Sequence, residues 1–151
     1  MGLNAALVGR SYPPTAPYLV GREKVREFAT AVGDANPVCH DVAAAQALGY
    51  PDVVAPPTFA FVVAYAGSSK AALDPDLGLD YSRVVHGEQR FVFQRPIVAG
   101  DSLIATATIE AVRAVAGNDI LTTRVDLDTE AGEHVATSFT VIVARGTAEE
   151  S

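Results

Sequence analysis

Apolar positions switch from helical to alternating spacing near the middle of the chain, dividing it into a helical half and a stranded half. Val25, Phe28, Ala29 and Val32 fall at i, i+3, i+4 and i+7, which gives residues 22–32 one apolar helix face, and Gly33 supplies the stop. Asp41 is placed to cap a short helix over 42–48, closed by Gly49. Residues 58–66 are apolar on every side, which predicts a central buried helix, and the prolines of 51–57 suit its N-terminus. Beyond it, residues 83–94, 101–112, 120–128 and 135–144 alternate as strands. The turn signals Pro96 with Gly100-Asp101, Gly117-Asn118-Asp119 and Glu130 to Glu133 separate them, so the last three strands form an antiparallel meander.

A long helix buried all round, followed by long strands, has few packing solutions. The sheet must curl around the helix, giving an α+β fold in one domain over 1–151. Residues 1–17, with Pro13, Pro14 and Pro17, are expected as an extended arm leading to a short strand at 18–20, and 146–151 as a frayed tail. One sheet edge stays open, and pairing two such sheets edge to edge would close it, so a dimer is expected.

Composition removes several function classes. The net charge is −7 and no basic stripe exists, which argues against a nucleic-acid or anionic-membrane partner. Arg22, Lys24 and Arg26 alternate with Glu23 and Glu27 as on a solvated helix face. Cys39 is the single cysteine, so no internal disulfide can form, and the three histidines lack ligand spacing, so neither metal nor cofactor is expected. No stretch approaches the roughly 20 apolar residues of a membrane span, and the first residues do not read as a signal peptide, which makes the cytoplasm the expected address.

Three stretches carry a family resemblance that covers about 20–144. They are Gly33-Asp34-Ala35-Asn36-Pro37-Val38-Cys39-His40-Asp41, then Val53-Val54-Ala55-Pro56-Pro57-Thr58-Phe59, and then residues 91–101. The chain resembles the MaoC-like hydratase/dehydratase family, which has the hot-dog fold, and within it the small subunits of fatty-acid-synthase-like dehydratases. The resemblance implies reversible addition of water across an α,β-unsaturated acyl thioester of coenzyme A or acyl carrier protein. In that family an Asp and a His act together, and a backbone amide near the central helix N-terminus holds the thioester oxygen.

Carried over residue by residue, Asp34 matches the catalytic carboxylate, Asn36 and Pro37 the turn beside it, and Asp41 the closing acid. Cys39 stands where the family has His, and His40 follows one place later. Pro56-Pro57 stands where active members carry His-Gly, and Pro57 has no N–H to give an oxyanion. The expected catalytic pair is therefore Asp34 and His40. The expected substrate-binding set is Asn36, Cys39, Pro57 and Thr58, with Phe61, Tyr65 and His86 along an acyl groove. Bland alternatives stand beside these: a turn carboxylate for Asp34, a solvated loop histidine for His40, a space-filling thiol for Cys39, and plain core for Phe61.

Two versions of the function remain open at this point. The chain is a (3R)-hydroxyacyl thioester dehydratase or enoyl-thioester hydratase acting through Asp34 and His40, or it is the acyl-binding subunit beside a second hot-dog chain with an intact Asp/His pair. A non-catalytic acyl-thioester or acyl-carrier binding protein is the alternative from another class. Thioesterases that share the hot-dog fold usually place a carboxylate on or near the central helix, and residues 58–66 contain no Asp or Glu, so the resemblance disfavours thioester hydrolysis.

Overall fold

The computed structural model describes residues 2–148. Five strands form one antiparallel sheet: β1 (Tyr18–Leu19), β2 (Val84–Phe93), β3 (Ser102–Val115), β4 (Asn118–Thr129) and β5 (His134–Ala144), in the order β1-β3-β4-β5-β2. The expected meander β3-β4-β5 is present, and β2 crosses over to pair with β5 at the far edge. Helices α1 (Arg22–Ala31), α2 (Val42–Ala47) and α3 (Ala60–Ala72) lie outside the sheet's own plane, with α3 packed on its concave face against β3, β4 and β5. This is the hot-dog arrangement that the resemblance implied. Among the described residues no helix is long and apolar enough to cross a membrane.

Close approach fixes α3. Its sheet-facing row is Ala60, Val63, Ala64, Gly67 and Ala71, all buried, and the strands answer with Ala105, Ala107 and Val125. A Cβ at Gly67 would lie 3.2 Å from Val125 Cγ1 and 3.3 Å from Ala105 Cβ, so only hydrogen fits there without displacing a neighbour. Alternation on the strands is as expected: Leu103, Ala105, Ala107 and Ile109 are all buried on the inner face.

The structure departs from expectation at several points. The central helix runs six residues past 66, through Gly67-Ser68-Ser69, because those small residues permit close packing and do not break the helix. It is also not buried all round: Tyr65 is 53% exposed, and the side of α3 that faces away from β3 and β4 is open in this chain. The half-barrel sheet covers only one side of it. Val32 leaves the apolar face of α1 and becomes its exposed C-cap, since Gly33 (φ 74°) has already turned the chain.

The N-terminal segment contains a 3-10 turn at Ala5–Leu7 and then runs along β3, with Tyr12 N–H donating to Ala107 O at 2.9 Å and Thr15 N–H to Ala105 O at 3.0 Å. At the other end Gly146 and Thr147 are tied back, Gly146 N–H to Asn118 Oδ1 at 3.0 Å and the Thr147 hydroxyl to Asp119 Oδ2 at 2.7 Å. Of the tail expected to fray, residues 149–151 lie outside the described residues.

Val substituted at Gly67 must push α3 off β3 and β4. Urea unfolding of Gly67→Val should show a loss of about 1–3 kcal/mol, the usual scale for overpacking a tight contact. Unchanged stability would mean that α3 does not sit this close.

Candidate functional site

The chain leaves α1 at Gly33, and Asp34 N–H returns to Ala29 O at 2.8 Å, so the Asp34 backbone is locked to the helix end. Asn36 caps the following 3-10 turn, Pro37–Cys39, by accepting from Val38 N–H at 3.2 Å. Asp41 then caps α2 through Ala43 N–H at 2.9 Å. The loop is pinned to its surroundings on both sides. Val54 N–H donates to Val38 O at 2.9 Å, and Ala55 N–H donates to Ile97 O at 2.8 Å. Phe28 of α1 meets Phe59 edge-on, with ring centroids 5.3 Å apart, which docks α1 on the entry to α3.

These ties enclose a cleft of about 430 Å³ whose walls include Asp34, Asn36, Cys39, Pro57, Phe93 and Arg95. The Asp34 carboxylate faces it, with Oδ1 accepting Asn36 N–H at 3.0 Å and Oδ2 lying 3.7 Å from Cys39 Sγ. Burial, together with the adjacent Asp34 charge, pushes the Cys39 thiol up to about 11. At neutral pH Cys39 is thus a neutral donor to Asp34 and not a thiolate nucleophile.

His40 is not in this cleft. Three residues per turn in the 3-10 segment rotate consecutive side chains by about 120°, so Cys39 points in and His40 points away. Its Nε2 lies 2.7 Å from the backbone carbonyl oxygen of Asp34, and its ring lines a second open hollow with Thr30, Pro37 and Asp41, which Asp34 also borders. Arg26 Nε reinforces that placement by donating to His40 O at 2.8 Å.

Arg95 and Gln94 are polar walls that sequence reasoning missed. The Arg95 guanidinium is fully engaged: Nη1 and Nη2 reach Asp101 at 2.9 and 3.0 Å, and Nε reaches Glu133 at 2.8 Å. Glu133 is held below the usual carboxylate range by that arginine. Arg95 therefore braces the β2–β3 turn that forms one wall, and its charge is already answered. The only sequence signal for it was the acidic pair Asp101 and Glu133 in neighbouring turns.

The remaining expected residues lie elsewhere. Thr58 is exposed on the turn Pro57–Phe59 and walls neither cavity described so far. Phe61, Tyr65 and His86 come together at a further cavity, between α3 and β2, with ring centroids 5.7 Å apart for Phe61–Tyr65 and 5.9 Å for Phe61–His86. Along β2, Phe93 walls the Asp34 cleft and Phe91 follows it toward that group, their ring centroids 6.1 Å apart. The expected set thus divides: Asp34, Asn36, Cys39 and Pro57 meet at one end, and Phe61, Tyr65 and His86 at the other.

Residues 6–138 match the model of the FAS1-like dehydratase domain region. A UPF0336 protein of Streptomyces coelicolor is 60% identical over 149 residues, covering 99% of both chains. A solved MaoC-like dehydratase superposes with a TM-score of 0.86 at 42% identity over 93% of this chain, which spans 42% of that protein's length. The Mycobacterium tuberculosis HadBC (3R-hydroxyacyl-ACP dehydratase) complex contains a chain that superposes at 0.81 and 36% identity, covering 91% of this chain and 96% of that one.

Because Cys39 is the single cysteine, its titration can be followed in the intact protein by the pH dependence of its rate of alkylation. The wild-type thiol should ionise near 11. Asp34→Asn removes the neighbouring charge and should move the inflection to lower pH. An inflection indifferent to Asp34 would contradict the shared cleft.

Proposed function

The chain belongs to the family of FAS1-like dehydratase domain regions, and on that premise we propose that it is the acyl-binding subunit of a (3R)-hydroxyacyl thioester dehydratase/hydratase. Its partner is a second hot-dog chain that carries an intact Asp/His pair. The reaction adds the water oxygen to Cβ of an enoyl thioester and a proton to Cα, and its reverse expels water. Both steps need an acid and a base within hydrogen-bond reach of one site.

One observation carries the choice of subunit role. The Asp34 cleft holds a carboxylate and a neutral thiol, while the nearest imidazole, His40, is bound to a backbone carbonyl on the other side of the loop. Pro57 at the entry to α3 also lacks the N–H that would hold a thioester oxyanion. The groove from that cleft along α3 to Phe61 and Tyr65 is the part suited to an acyl chain of a coenzyme A or acyl-carrier-protein thioester. Association is expected along β2, the open edge of the sheet, where Val85 and Val92 are 40% and 43% exposed. The HadBC relative is itself a complex of two kinds of subunit.

Crotonyl-thioester hydration tests this reading with the chain alone and with a candidate partner. The chain alone should be inert, and a one-to-one complex seen by sedimentation should be active. In that complex Asp34→Asn and His40→Ala should keep nearly full turnover, whereas Phe61→Trp should change acyl-chain preference. Activity of the chain alone that falls by roughly 100-fold in either Asp34→Asn or His40→Ala would establish the catalytic version instead.

A further inference from the structure

The inner face of the sheet changes character along the groove. Paired positions across β3, β4, β5 and β2 form rows beneath α3. The row nearest the Asp34 cleft is Ala105, Leu127, Ala136 and Phe93, which is wholly apolar. The next is Ala107, Val125, Ser138 and Phe91, and the third is Ile109, Thr123, Thr140 and Gln89. Thr123, Ser138 and Thr140, at 3%, 0% and 9% exposure, sit side by side in what is otherwise the hydrocarbon core.

Part of this polarity is internally satisfied. Gln89 Nε2 donates to Ser138 Oγ at 2.7 Å, and the Thr140 hydroxyl donates to Gln89 Oε1 at 2.9 Å. Among the described residues the Thr123 hydroxyl and the exposed His86 ring make no hydrogen bond within the chain, and Thr123 Oγ1 is open to water, since Arg124 Nε alone is a sealed side-chain polar atom without a hydrogen-bond partner. Both line a cavity of about 70 Å³ between the C-terminal half of α3 and the sheet, together with Thr140, Ser68, Ser69 and Tyr81. That is room enough for ordered water. A fully apolar sheet face would pack α3 equally well, so packing alone does not account for threonine hydroxyls that face a cavity on the inner side of the sheet.

We propose that this cavity is a polar subsite at the distal end of the groove, selecting acyl groups that carry a hydroxyl or keto oxygen on their far carbons over plain chains of the same length. The proposal rests on the acyl-binding reading above. Phe93 to Gln89 spans about 13 Å of extended strand, the reach of a medium-length acyl group. A plain methyl end entering the cavity would displace water and strand the Thr123 hydroxyl, at a cost of roughly 10-fold in affinity. An oxygen-bearing end would take over the water's hydrogen bonds to Thr123 and His86.

Calorimetric binding of saturated, unreactive thioesters to the full chain decides this. The probes are decanoyl-coenzyme A and its ω-hydroxy and ω-1 keto counterparts. The oxygenated probes should bind about 10-fold more tightly, and Thr123→Val, which keeps the side chain's shape, should abolish or reverse the preference. His86→Phe, on the exposed edge strand and so without risk to folding, should also narrow it. Equal binding of plain and oxygenated probes, or a preference untouched by both variants, overturns the polar subsite and leaves the acyl-binding reading standing. No binding of any decanoyl probe overturns both.

Discussion

The contact between α3 and the sheet is the constraint from which the rest follows. Small residues on both sides, Gly67, Ala64 and Ala60 on the helix and Ala105 and Ala107 on the strands, bring the helix close to the concave face. Once α3 is that deep, its N-terminal turn at Pro57–Phe59 fixes where Phe59 stands, and Phe59 receives Phe28 of α1 and Tyr18 of β1. The end of α1 then delivers Asp34 to the mouth of the cleft. Because the half-barrel covers one side of α3, the other side stays open, and Phe61 of α3 meets His86 of β2 at its margin. Site and groove are therefore consequences of one packing decision.

Much of this was legible in the sequence. Period-2 alternation located every long strand, Asp41 and Gly33 marked helix ends, and the motif at 33–41 indicated the family and its cleft. What escaped detection has physical reasons. Gly67-Ser68-Ser69 looks like a helix stop by propensity, whereas tertiary packing rewards small residues there. Whether an apolar helix is covered on every side depends on how far the sheet curls, which no local pattern records. Which of Cys39 and His40 turns inward depends on the 3-10 geometry of Pro37–Cys39, and an α-helical or extended segment would have placed them differently. The hydroxyl row across β4, β5 and β2 exists only through register, so Thr123, Thr140 and Gln89 are unremarkable when seen singly.

The electrostatics of the two ends of the groove differ accordingly. At the Asp34 end the one arginine is consumed by Asp101 and Glu133, which leaves a lone carboxylate beside a thiol that burial and that carboxylate keep protonated. Such a pair can hold a water or orient a thioester, but it lacks the base and acid of complementary strength that hydration requires. At the far end the polar groups include the hydroxyls of Ser68, Ser69, Thr123 and Thr140 with the His86 ring, and no carboxylate is among them. The proposed role, a binding half beside a second hot-dog subunit, is consistent with both.

The most direct measurement is a crystal structure of the chain, alone and with a candidate hot-dog partner, holding a saturated acyl thioester. Acyl density should run between α3 and β2 from the Pro57 end toward Phe61, with the His40 imidazole still on the Asp34 backbone carbonyl. Acyl density elsewhere, or His40 swung within hydrogen-bond reach of the Asp34 carboxylate beside the thioester, would contradict a binding subunit and point to catalysis by this chain itself.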